Sequence, residues 1–203
     1  MGPASNVDYI LVDYTDEDIE AVKKMFPSCR ITEEDDRSIR LVNPTEGESK
    51  NAGSIELHLG ESGKICIHYE DWSAYVSYKN INDRGELLTQ FILLSAGEQL
   101  IDIDFYDIKL CIGDMGQFHT FRLKSDDNLA EAVFRQLDMP ELSMLQTSQS
   151  AILQVTTNEP SLGEMNDLSI QIHDRWPEAD IAPVLMFHEV PNNEVICSWY
   201  TCL

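Results

Sequence analysis

No two of the chain's ten glycines are adjacent, and none falls in a G-x-G-x-x-G or Walker-type arrangement. Loops whose backbone amides cradle phosphates are built from such clusters. These residues alone are therefore not expected to bind a nucleoside triphosphate. Basic side chains are also scarce, with 14 Lys and Arg against 36 Asp and Glu, a formal net charge of −22 and a pI near 4.3. Such a surface repels phosphate backbones and anionic lipid, and no local basic patch offsets it, which argues against nucleic-acid and membrane-surface binding. Nothing approaches the roughly 18 apolar residues that cross a bilayer. The start, MGPASNVDY, lacks the apolar core of a signal peptide. A soluble, cytoplasmic protein is expected. The five cysteines, Cys29, Cys66, Cys111, Cys197 and Cys202, are an odd, scattered set without a CxxC pair, and read as reduced thiols rather than a disulfide framework or zinc site.

What is present suffices for a core: 203 residues, 43% of them hydrophobic. Two domains of about 100 residues each are the preferred division. Residues 1–6 are set aside as a tag or disordered lead. YILVDY, residues 9–14, reads as a strand, and TDEDIEAVKKMF as a helix capped by Thr15 with Ile19, Val22 and Phe26 on one face. EEDDRS, including Glu33 to Asp36, reads as a solvated turn. SIRLV, SIELHLG, KICIHYED and SAYVSYK alternate like half-buried strands, so residues 7–80 predict a small α+β domain with an antiparallel sheet.

NDRGELLTQFILLSAGEQL changes to helical spacing through Leu87, Leu88, Phe91, Ile92 and Ser95, a connecting helix within residues 81–100. Beyond it, residues 101–203 predict strand QFHTFRLK, a helix from Asp126 to Leu137, strand AILQV, and helix SLGEMNDLSIQIHDRW with Ser161 and Glu164 in capping-box register. The apolar runs IAPVLMF and EVICSWY close the chain around the turn-like HEVPNN.

One segment carries more than structure. IDIDFYDIKLCIGDMG, residues 101–116, sets Asp102, Asp104 and Asp107 at the mouth of a short helix. They could be a capped helix start, a metal site or half an active site. Locally, Asp104 is a candidate cap, Asp107 suits the first turn, Ile108, Cys111, Ile112 and Met115 form the inner face, and Gly116 is the candidate left-handed terminator. The metal alternative lacks other ligands. Asp102 is left over.

DIDFYDI followed by GDMG resembles the C-terminal half of the FtsZ/tubulin-like GTPase family, in which a central helix leads to an N-x-D-F-x-D-[VI] loop and then a helix ending in M-G. The likeness extends over about residues 82–203: SAILQVTTNEPSLGEMNDLSIQIHDRW is similar to the family's strand, turn and helix, and EADIAPVLMFHEVPNNEVICSWYTCL to its closing hairpin. The resemblance implies that the loop inserts into a neighbouring subunit's nucleotide pocket, where Asp104 and Asp107 match acids that polarise the attacking water. It also implies partner contacts through Asp102, Asp104, Phe105 and Asp107. Asp102 stands where the family has asparagine, and a third carboxylate facing a polyphosphate is repulsive. The family's glycine-rich phosphate loop has no counterpart here.

Other candidates are weaker. His58, Cys66 and His68 could converge as metal ligands, but period-2 placement on a sheet accounts for them equally well. His119, His173 and His188 have no nucleophile at a recognisable spacing. Trp72, Tyr75 and Tyr78 suggest an aromatic patch.

The expectation is thus an α+β chain: a small N-terminal α+β domain with an antiparallel sheet, a connecting helix, and an FtsZ/tubulin C-terminal-like domain with a four-stranded sheet covered by helices. It is expected to act as a protein-binding module that docks on or caps a tubulin-like GTPase filament, with that GTPase or itself as partner. No enzyme activity of its own, cofactor or metal is expected. The alternatives are a trans-acting GTPase activator using Asp104 and Asp107, and an acidic inhibitor or immunity-type protein binding a basic partner.

Overall fold

The structure, a computed structural model, describes residues 8–27, 29–42, 54–59, 63–78, 82–96, 103, 105–138, 150–190 and 194–202. The first half runs β1 (Asp8–Val12), α1 (Asp16–Met25), β2 (Arg30–Asp35), β3 (Ser38–Val42), β4 (Ser54–His58), β5 (Lys64–Tyr69), β6 (Trp72–Ser77) and α2 (Asn82–Ala96). The second half runs α3 (Phe105–Ile112), β7 (Met115–Lys124), α4 (Leu129–Leu137), β8 (Ser150–Thr157), α5 (Leu162–Arg175), β9 (Asp180–Phe187) and β10 (Glu194–Cys202). Mixed α+β architecture is observed, as the sequence predicts.

The sheet differs from that expectation. All ten described strands join one sheet in the order β2-β3-β1-β4-β5-β6-β7-β10-β8-β9. The four-stranded block β7-β10-β8-β9 is present, but β6 and β7 pair in parallel through Tyr75 with Met115, Val76 with Gly116 and Ser77 with Gln117. That seam fuses the block to the N-terminal strands. Nor is the N-terminal part purely antiparallel, since β1 and β4 run parallel.

Two further corrections concern strands. Glu33 to Asp35 lie in β2, paired with β3, rather than in a turn. An edge strand tolerates such charge because one side stays in water. The expected closing hairpin does not form: β9 pairs in parallel with β8, while β10 lies between β7 and β8. Pro183 suits the edge position of β9, where a missing N–H need not break an internal ladder.

Helix α1 forms as its sequence dictates. Thr15 caps it in a capping box with Asp18, three acids occupy its first turn and Lys23 and Lys24 its last. Asp18 is then buried against Arg84 of α2, whose Nε and Nη2 donate to its two oxygens at 2.9 and 2.7 Å. Arg84 also donates to the Leu59 carbonyl at 3.1 Å and to Thr15 Oγ1 at 2.9 Å. With its hydrogen bonds made this way, the ion pair tolerates burial and pins α1 to α2.

The core has two parts. One fills the space between the sheet and α1, α2 and α3, with Leu11, Val22, Ile55, Ile67, Leu88, Phe91, Ile112 and Tyr200 among its members. The other lies beneath α4 and α5, where Val133, Leu153, Leu168, Leu185 and Trp199 pack on the C-terminal strands. Where α2 crosses those strands the contact is polar. Gln90 Oε1 accepts from Gln154 Nε2 at 3.0 Å and from Thr156 Oγ1 at 2.9 Å, all three side chains being buried. A second long-range tie runs from His188, whose Nε2–H donates to the Met25 carbonyl at 2.7 Å.

Candidate functional site: the acid-bearing loop and helix α3

Of the residues singled out in the loop, Asp102 and Asp104 lie outside the described residues, including the expected Asp104 cap. Phe105 and Asp107 are described, in the first turn of α3. Phe105 turns inward: its ring packs 4.4 Å from that of Tyr69 and 5.5 Å from that of Trp72, centroid to centroid. It anchors the helix as much as it could present a contact. Asp107 is half-buried on the first turn, where the macrodipole favours an acid.

The inner face of α3 is Ile108, Cys111 and Ile112, all buried. Burial, with Asp180 and Asp107 nearby, pushes the Cys111 thiol up to about 11. The helix ends earlier than its sequence predicts. Gly113, at φ +62°, supplies the left-handed terminator, and its N–H donates to the Lys109 carbonyl at 2.9 Å. Gly116 has a different task. It is the second residue of β7, where an added Cβ would stand 2.7 Å from Ile112 Cγ2, so a side chain there would force Ile112 of α3 to shift. Met115, expected on the helix's inner face, is instead the first residue of β7 and half exposed.

The base of α3 is locked to the seam. Trp72 Nε1–H donates to the Gly113 carbonyl at 3.2 Å, and the Tyr75 amide donates to the Asp114 carbonyl at 3.0 Å. The outer face of α3 points away from this anchorage and carries Tyr106 at 64% exposure and Leu110 at 58%. Sequence reasoning missed these two. Their signal was an apolar i, i+4 pair lying off the Ile108–Cys111–Ile112 stripe, which is a second face and not a core position.

The remaining candidates separate. His58, Cys66 and His68 do come together, on the outer face of β4 and β5: Cys66 Sγ lies 3.1 Å from His68 Nε2, and the two imidazoles meet edge to face at 4.9 Å. Among the described residues no three His, Cys, Asp or Glu side chains are placed to hold a metal ion. His119 sits on β7, His173 is exposed on α5, and His188 is committed to Met25, so the three do not form one site. Trp72 and Tyr78 are buried while Tyr75 is half exposed. No cysteine among the five is in a disulfide. No described helix is long and apolar enough to cross a membrane.

No protein-family model matches the chain, and no curated protein is significantly similar to it in sequence. Among solved structures, an FtsZ dimer from M. jannaschii is similar with a TM-score of 0.47 and 20% identity, covering 61% of this chain and 40% of that one. Part of this chain is similar to FtsZ. A point variant of the same FtsZ gives 0.46 and 19%, covering 61% of this chain and 41% of that one. CetZ2 from Haloferax volcanii, in a GTPγS-bound protofilament, gives 0.37 and 8%, covering 73% and 45%. The chain thus spans about 40% of the FtsZ structures it resembles. Likeness at this identity concerns fold alone, so function has to be read from the residues of this chain.

Proposed function

We propose that this chain is a protein-binding module that docks, through the loop before α3 and the outer face of α3, onto a tubulin-like GTPase or onto another copy of itself. One observation carries the proposal. The segment that resembles the family's acidic loop leads into a helix whose base is fixed by Phe105, Trp72 and Gly113, while Tyr106 and Leu110 are turned outward. A helix fixed at its base and offering two large apolar side chains near Asp107 has the character of a docking edge, because preorganised aromatic anchors lose little entropy on binding. With no phosphate-cradling loop in its 203 residues, the module would lend a surface to a filament without adding a nucleotide pocket of its own, and so regulate assembly in a cytoplasmic cytoskeletal or division system.

The test is sedimentation of a purified FtsZ-type GTPase with GTP, with and without this chain. Polymer mass is expected to change with the wild-type chain, and the Tyr106→Lys, Leu110→Asp double variant is expected to lose at least about tenfold in potency, as loss of two interface anchors should. An unchanged polymer mass with wild type, together with a monomeric chain by light scattering, defeats the proposal.

A second reading has its own support in Asp107, which sits at the base of the acidic loop. If the chain activates GTP hydrolysis in trans, phosphate release in the same mixture rises, and Asp107→Ala abolishes the rise while leaving co-sedimentation intact. The charge of −22 supports a third, an inhibitor of a basic protein. Co-sedimentation that vanishes with modest salt and ignores Tyr106 and Leu110 would favour it.

A further inference from the structure

The outer face of the N-terminal strands carries a thiol beside an imidazole. Strand register places His58, Cys66 and Tyr75 in one cross-strand row and Glu56, His68 and Ser73 in the next. Cys66 Sγ lies 3.1 Å from His68 Nε2, and His68 Nδ1 lies 2.7 Å from Ser73 Oγ. Beside this chain His58 Nε2 is 3.4 Å from Glu56 Oε2, so the second imidazole is turned toward its own carboxylate. Cys111 and Cys197 are buried, Cys29 Sγ is 3.8 Å from the Arg30 carbonyl, and Cys202 is the most accessible.

We propose that Cys66 is a thiol-modification site at which His68 acts as general base and Ser73 fixes the tautomer, with a low-molecular-weight disulfide as the co-reactant. When Nδ1–H donates to Ser73 Oγ, the bare Nε2 faces the thiol, which is the nucleophile–base–orienter geometry that activates a thiol at neutral pH. His68 Nε2 takes the thiol proton as the sulfur attacks one sulfur of the disulfide R–S–S–R. The Cys66–S bond forms and the R–S–S–R bond breaks. The departing thiolate recovers the proton from the imidazolium, so that Cys66–SH and R–S–S–R become Cys66–S–S–R and R–SH with no further oxidant. Half-burial keeps the resting thiol protonated by raising it above its ordinary value, which makes the adjacent base the deciding feature. The face is open at this row, where Ser73 and Tyr75 are exposed. A group attached there would alter the surface continuous with Met115 at the seam, since Tyr75 pairs with Met115.

Exposure alone ranks Cys202 first, whereas a base-assisted site ranks Cys66 first. The full chain is treated with glutathione disulfide at neutral pH, quenched at short times, and each cysteine-bearing peptide is quantified by mass spectrometry. Cys66 is expected to be modified fastest. His68→Gln is expected to slow Cys66 about tenfold while leaving Cys202 unchanged, and Ser73→Ala to slow it less. Faster reaction at Cys202 or Cys29 in the wild-type chain overturns the proposal, as does a Cys66 rate indifferent to His68→Gln in a variant whose circular dichroism is native. If that variant misfolds, the wild-type ranking with the Ser73→Ala result decides.

Discussion

The same sheet is built in two ways along its width. In β1, β4, β5 and β6 buried and accessible residues alternate, because α1, α2 and α3 cover one face and the other meets solvent. In β8 and β10 nearly every residue is buried, because α4 and α5 close the second face. The N-terminal strands accordingly turn about every second residue to the open face, among them Glu56, His58, Cys66, His68, Ser73 and Tyr75, which can carry chemistry. The C-terminal strands have almost no such freedom.

Substitutions sharpen that contrast. Trp199→Ala, in the doubly covered part, removes a fully buried indole and is expected to cost about 3–5 kcal/mol in urea denaturation. Tyr75→Ala on the open face should stay within about 0.5 kcal/mol. A smaller gap would mean that the outer face is covered after all. Next comes Arg84→Met, which strands the buried Asp18 carboxylate and should cost about 3 kcal/mol, with Asp18→Asn added to Arg84→Met recovering a large part of it. Equal losses in the single and double variants would show that Arg84 stabilises by packing and not by pairing.

The smallest effect is titratable. Burial holds His188 below its ordinary value, opposed in part by its hydrogen bond to Met25 and by Glu189. Below the unfolded value near 6.5 the unfolded chain takes up a proton that the folded chain resists. Stability contributed by this group is therefore complete above about pH 6.5 and declines as pH falls through the lowered folded value. His188→Gln should flatten that part of the melting-temperature profile between pH 7.5 and 5.5. A profile with the same slope would assign the acid sensitivity elsewhere.

Much of this was legible in the residues themselves. Thr15 and Ser161 announce helix starts, and their side chains do accept from the amides of Asp18 and Glu164. The apolar runs AILQV and EVICSWY read as strands because both faces are buried. Pairing was less legible, since a strand's sequence states which face is apolar but not which neighbour it joins across a long connection. The β6–β7 seam and the parallel β8–β9 pair are both of that kind. Glu33 to Asp35 misled for a different reason: at an edge, charge does not oppose strand formation. At the site, the Ile108–Cys111–Ile112 stripe was readable, while the roles of Gly113 and Gly116 depended on how closely β7 approaches α3.

The polar contact beneath α2 has a consequence for how the halves move. Leu87, Leu88, Phe91 and Leu93 alone would let the helix slip along its groove, since one apolar side chain replaces another at small cost. The Gln90 amide does not permit that. Sliding by one turn, about 5.4 Å, would break both hydrogen bonds that the buried Gln90 Oε1 accepts from β8, at about 1–3 kcal/mol for the orphaned oxygen. Helix α2 is keyed to the C-terminal strands at its middle by Gln90 and clamped to α1 near its start by Arg84. It works as a connecting rod of fixed length: displacement imposed on one half of the sheet is delivered to the other instead of being absorbed between them.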